Sequence, residues 1–130
     1  MGLHDRKPSE IKRLLKSFGH AGEGIKDAFL HERNFQIHCF LGAAAAAAGA
    51  VLGISPVEWF TVIGFSCLVL SLELVNTAIE RTVDLVTEEI RPLAKAAKDA
   101  AAGAVLVSAA GACLAGLIIF VPKLIKFIIF

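Results

Sequence analysis

Three apolar stretches decide most of what this chain can become: about Phe35–Ile54, Val57–Ala78 and Ala100–Val121, followed by an apolar tail to Phe130. Each is about 20 residues long, the length a helix needs to cross about 30 Å of hydrocarbon. None alternates in the manner of a barrel strand. Hydrophobic residues fill 56% of the 130 positions, above the roughly 45–50% usual for a soluble domain. The chain is long enough for one domain. The expected fold class is an all-α membrane protein, a single domain over 1–130. Within it, residues 1–34 form an amphipathic surface helix. Transmembrane spans follow at about 35–54, 57–80 and 100–121.

The first 34 residues differ in character. Met1 to Pro8 is polar and is expected to fray. Ser9 and Glu10 then open "IKRLLKSFGHAGEGIKDAFLHE". Ile11, Leu14, Leu15, Phe18, Ile25 and Phe29 recur at helical spacing, with Lys12, Arg13, Lys16 and Lys26 between them. A basic amphipathic helix ahead of membrane spans lies in the headgroup plane. Gly19, Gly22 and Gly24 weaken its middle, so a bend or break is expected there. No short apolar region with a cleavage site marks a secretory signal.

Positive charge sets the expected orientation. Arg6, Lys7, Lys12, Arg13, Lys16, Lys26 and Arg33 precede the first span, and Arg81, Arg91, Lys95 and Lys98 follow the second. The loop "GISPV" carries no Lys or Arg; the C-terminal tail carries Lys123 and Lys126. The N-terminus and second loop are therefore placed in the cytoplasm. Trp59 and Phe60 belong at the outer interface. Net charge is +1 and no nucleic-acid motif is present, so no nucleic-acid partner is expected. Cys39, Cys67 and Cys113 are an odd set inside apolar runs, which argues for small buried hydrophobes over disulfides. His4, His20, His31 and His38 lack metal-site spacing, and most of them are expected at the interface or in water. The runs "AAAAAAGA" and Ala100–Ala104 offer small-residue faces on which membrane helices approach closely.

The end of the second span breaks the apolar pattern. "LSLELVNTAIERTVDLVTEEI", Leu70–Ile90, contains Glu73, Asn76, Thr77, Glu80 and Asp84. At about 100° per residue these five fall within an arc of roughly 100°, one face of one helix. Glu88 and Glu89 are expected to be solvated. Glu73 has an apolar run before it and another apolar turn after it. A charge at the bilayer centre costs about 2.5–3.5 kcal/mol on insertion scales, so such a residue marks function.

Two acids on one face near a membrane surface fit a hard cation such as Mg²⁺, which takes few carboxylates and completes its shell with water and phosphate oxygens. They would equally fit a proton or ion relay. Glu32 precedes the first span, and Lys98 and Asp99 precede the third, so ionisable groups gather at one depth. Glu32 and Glu80 are placed to clamp metal, Lys98 to neutralise phosphate. Glu73 lies deeper, where low water activity suits a hydroxyl-activating base. Polar groups upstream of Glu73 are few: Ser71, Ser66 and Thr61. The stripe stops about halfway, which favours phosphoryl transfer to a membrane-held alcohol over conduction. No Walker A or protein-kinase motif is present.

"ELVNTAIE", Glu73–Glu80, closely resembles the signature of the prokaryotic integral-membrane diacylglycerol kinase family. "SFGHAGEGIK", "ERNFQIH" and "AKAAKDAAAGAVL" extend the resemblance over nearly the whole chain, and the last two are most like the Gram-positive-type undecaprenol kinase branch. The resemblance implies an ATP- and Mg²⁺-dependent kinase for a membrane lipid alcohol, undecaprenol or else diacylglycerol. It implies a homotrimer with active sites shared between subunits, in the bacterial inner membrane, acting on the cytoplasmic side. Glu73 matches the catalytic base, Glu32 and Glu80 the metal-holding carboxylates, and Asn76 the signature asparagine. Lys98 and Asp99 match the ATP-contacting pair. Arg13, His20, Glu89 and Arg91 fall where the family contacts nucleotide or substrate. His20 replaces a common aromatic, and Arg91 a histidine. Ala102 replaces a serine of the proteobacterial branch, which favours the bulkier polyprenol.

Overall fold

The computed structural model describes residues 9–87, 89 and 91–129. The polar stretch Met1–Pro8, Glu88, Ile90 and the terminal Phe130 lie outside the described residues. Four helices account for nearly everything else: α1 (Glu10–His31), α2 (Arg33–Leu52), α3 (Pro56–Val86) and α4 (Pro92–Ile129). The last three are long and apolar enough to cross a membrane.

Local chemistry sets each boundary. Ser9 caps α1 by accepting from the Lys12 N–H at 3.4 Å, and Glu10 in the first turn suits the positive helix end. The break expected at Gly19, Gly22 and Gly24 does not occur; α1 runs through them. Each glycine costs about 0.8–1.0 kcal/mol against alanine, but the apolar spacing continues across all three and keeps one helix in register. Neither glycine nor proline makes the α1–α2 corner. Glu32 turns the chain with extended backbone, its N–H donating to Ala28 O at 2.8 Å. Gln36 Nε2 reaches back to Phe29 O at 2.9 Å and closes the corner.

The α2–α3 turn is written in "GISPVE". Gly53 takes the left-handed conformation, φ 61°, that a side chain disfavours. Ser55 and Glu58 form a reciprocal capping box with Pro56 as the first helical residue. At the far end of the bundle Lys123 meets Glu58 at 3.2 Å, so one tail lysine is balanced locally.

Helices α3 and α4 pack along their length. Gly111 makes room for that approach, because a Cβ there would lie 2.9 Å from the Phe65 ring and force it to shift. Helix α2 joins them, and α1 rests against the ends of α2 and α3. A cluster of Ile54, Val62 and Ile119, with Ala45, Trp59 and Phe120 around it, closes the end near the α2–α3 turn. Trp59 thus packs inward, while Phe60 is 78% exposed. Cys39 is half-buried, but Cys67 and Cys113 are exposed rather than buried. In a membrane helix the outer face is apolar too, so a small sulfur-bearing side chain has no reason to turn inward. The inversion is general: large hydrophobics face outward along every span, while Glu73 is 3% exposed. Water would not tolerate that distribution; lipid would.

Candidate functional site

The stripe on α3 is graded in burial. Glu73, Asn76 (9% exposed) and Thr77 are buried, Glu80 is half-buried and Asp84 is exposed. The grading follows helix position, since each turn carries the stripe farther from the middle of the bundle. Asn76 Nδ2 donates to Glu80 Oε1 at 3.0 Å, one turn away. Its carbonyl oxygen, Asn76 Oδ1, is buried and has no hydrogen-bond partner. An orphaned acceptor beside a carboxylate is expensive unless a donor or a cation meets it.

Three helices converge on this stripe. From α2, His38 Nε2 lies 3.2 Å from Glu73 Oε1. The expectation that His38 is interfacial or solvated is therefore corrected: only 22% of its side chain is exposed. From α4, Lys98 reaches Asp84 at 2.5 Å. At the α1–α2 corner, Glu32 accepts from Arg81 Nη2 at 2.9 Å, and the same guanidinium donates to Asp27 of α1. Glu80 follows Glu73 by two turns on the same helix face. Asp99 sits one residue along α4 from Lys98 and pairs with Lys95.

Four predicted residues stay apart. Arg13 pairs with Glu10 at 3.6 Å and His20 with Glu23 at 3.4 Å, both within α1. Glu89 and Arg91 pair with each other at 3.2 Å in the α3–α4 link. Within one chain these four are not brought to the stripe. Sequence reasoning missed His38, Asp27 and the clamping role of Arg81. His38 follows buried Phe35 by three residues and precedes Gly42 by four, so helical spacing puts it on the inward face of α2. Its partner across the bundle is not in that spacing.

Helices α2, α3 and α4 line a partly open apolar cavity of about 300 Å³ that begins at His38 and passes Gly42, Phe65, Val69, Ala112 and Gly116. Charged groups therefore lie at one end of an apolar channel. Thr61, farther along, donates to Val57 O of its own helix at 3.1 Å. The polar stripe is one-sided.

A model of the prokaryotic diacylglycerol kinase family matches residues 19–120. The chain belongs to that family. It is a lipid kinase, a phosphotransferase with an alcohol acceptor, and kinase chemistry implies ATP as donor. The undecaprenol kinase of Bacillus subtilis is 51% identical over 116 residues, 89% of this chain and 94% of the relative. A diacylglycerol kinase of Synechocystis is 43% identical over 117 residues, covering 89% of this chain and 67% of the relative. The diacylglycerol kinase of Haemophilus influenzae is 30% identical over 112 residues, covering 86% and 92%. Three apolar helices fit a multi-pass membrane protein of a prokaryotic family.

Among the described residues no three His, Cys, Asp or Glu side chains form a ready metal cluster. The oxygens available on the stripe are the Glu80 carboxylate, whose Oε1 accepts from Asn76 Nδ2, and the unpartnered Asn76 carbonyl; Glu32 is held by Arg81 at the α1–α2 corner. That set fits Mg²⁺, which needs few protein ligands when phosphate and water supply the rest.

Arg81 ties α1 to the bundle through two carboxylates on separate segments. The guanidinium, by donating to Asp27, holds that carboxyl below its ordinary range. The ionised form is the bound form, so the tether is complete above about pH 4, the ordinary Asp value. It is lost as pH falls through the lowered folded value. Exposure makes its energy small, but its geometry fixes Glu32. Arg81→Ala should speed limited proteolysis within α1 in detergent without changing helix content. Equal cleavage of both proteins would show that α1 is held by other contacts.

Proposed function

We propose that this protein transfers the γ-phosphoryl group of ATP to the hydroxyl of undecaprenol, giving undecaprenyl phosphate and ADP, with Mg²⁺ bound. The observation that carries the reading is the graded stripe at the end of the apolar cavity. A lipid alcohol offers one apolar body and one hydroxyl, and the fold offers an apolar cavity ending beside a buried carboxylate. Glu73 accepts the hydroxyl proton. The alcohol oxygen forms its bond to the γ-phosphorus as the bond from that phosphorus to the ADP oxygen breaks. Glu80 and Glu32 would hold Mg²⁺ with the Asn76 carbonyl in support, and the ion would supply positive charge against the phosphates. Lys98 and Asp99 orient ATP, and Asp84 keeps Lys98 extended until phosphate arrives.

The stripe lies on the cytoplasmic side of the bacterial inner membrane, because the Lys- and Arg-rich segments flank that end. Helix α1, with its exposed Ile11, Leu14, Leu15 and Phe18, lies on the membrane as a surface helix. The active unit is a homotrimer with shared sites. Exposed alanines at 43, 44 and 47 on α2 and 100, 102 and 104 on α4 offer the close-packing faces this needs. Sharing also gives Arg13, His20, Glu89 and Arg91 a role, contacting nucleotide bound at a neighbouring subunit's stripe.

The undecaprenol kinase relative supports the polyprenol, while the diacylglycerol kinase relatives favour diacylglycerol as the second reading. Parallel assays of the purified protein with both lipids in one detergent separate them. Turnover of undecaprenol should exceed that of diacylglycerol by at least tenfold, about 1.4 kcal/mol in kcat/KM. Faster turnover of diacylglycerol would overturn the polyprenol assignment.

A further inference from the structure

Glu73 poses a problem that the catalytic reading does not answer. A glutamate has three side-chain torsions, and a base must present one oxygen to one hydroxyl with little positional error. Glu73 is 3% exposed, so the groups that fix it must come from the bundle itself. Among the described residues, the basic side chain that reaches it from another helix is His38, with Nε2 3.2 Å from Oε1. Glu80, two turns along the same face, is a carboxylate and cannot donate to it. The helix that carries His38 is packed on both sides of it: Phe35 one turn earlier is buried, and a Cβ at Gly42 one turn later would sit 3.4 Å from Ser66 Oγ. That closeness keeps α2 against α3 at the level of the ring.

We propose that His38 is a positioning residue for Glu73. Its Nε2 side holds Oε1, so that Oε2 is the oxygen left for the lipid hydroxyl. The same ring forms the wall where the apolar cavity begins. A lipid alcohol whose chain follows that cavity passes His38 as its hydroxyl meets Glu73. One side chain from α2 thus sets both the reach of the base and the approach of the acceptor. The inference rests on Glu73 being the base.

The test compares His38→Leu, His38→Gln and Glu73→Gln in detergent, with undecaprenol as acceptor. His38→Leu should lower kcat by about 10²-fold, the effect of misplacing a reacting group, with the KM for ATP unchanged. His38→Gln keeps an amide donor that can reach Oε1 and should recover most of that loss. If the leucine variant does not accumulate, His38→Asn replaces it, since its amide is one methylene too short and should share the loss. Full activity of the leucine or asparagine variant, or a glutamine variant as slow as they are, overturns the role of His38. An active Glu73→Gln enzyme would instead remove the base reading and this inference with it. An inactive Glu73→Gln enzyme beside a fully active His38→Leu enzyme removes this inference alone.

Discussion

Glu73→Gln is expected to lower the kcat for lipid phosphorylation by about 10²–10⁴-fold, the usual contribution of a general base. ATP binding in the presence of Mg²⁺ should remain as it was, because Glu80 and Asn76 are untouched. The substitution keeps size and shape, so the contacts around a side chain that is 3% exposed persist. It removes a charge that costs about 2.5–3.5 kcal/mol at the bilayer centre on insertion scales. The variant should therefore unfold in detergent at a temperature no lower than the parent, while losing its activity. That combination separates catalysis from folding, since a group retained for packing would not combine lost rate with retained stability. Steady-state rates beside a thermal melt would measure both. An active variant would remove Glu73 as the base.

Glu80→Gln should fail differently. A glutamine can still accept from Asn76 Nδ2, which donates to Glu80 Oε1 at 3.0 Å in the parent. The local helix is preserved and only the charge is lost. Mg²⁺ prefers anionic oxygen ligands, and the neighbouring Asn76 Oδ1 is neutral. Metal-dependent ATP affinity should fall at least tenfold, about 1.4 kcal/mol, and phosphoryl transfer should be lost with it. Titrating ATP against the variant with and without Mg²⁺ is the measurement. Unchanged affinity would show that the metal is held without Glu80. The two glutamates lie on one helix face two turns apart, yet one variant should lose rate with nucleotide bound and the other should lose the nucleotide.

Much of this was legible in the residues. The apolar lengths mark three helices that can cross a membrane. "GISPVE" specifies its own turn through Gly53, Pro56 and the Ser55–Glu58 box. Other features were not legible. Gly19, Gly22 and Gly24 read as a weak point, but local propensity is small beside a continuous apolar face. The corner at Glu32 has no turn residue to announce it. Cys67 and Cys113 read as buried because apolar residues are buried in water; in a membrane bundle the exposed face is apolar as well.

The order of Glu73, Asn76, Thr77, Glu80 and Asp84 on one face follows from the sequence by itself. Any α-helix turns by about 100° per residue, whatever surrounds it. The depth of the stripe follows too, from the apolar run before it. What faces the stripe does not follow from any such period. His38 lies 35 residues before Glu73, and Arg81 meets Asp27 from 54 residues away. Contacts between helices depend on how closely α2 and α3 approach, how far each is rotated, and where the corner at Glu32 directs α1. Those are properties of packing, and only the tertiary structure decided them.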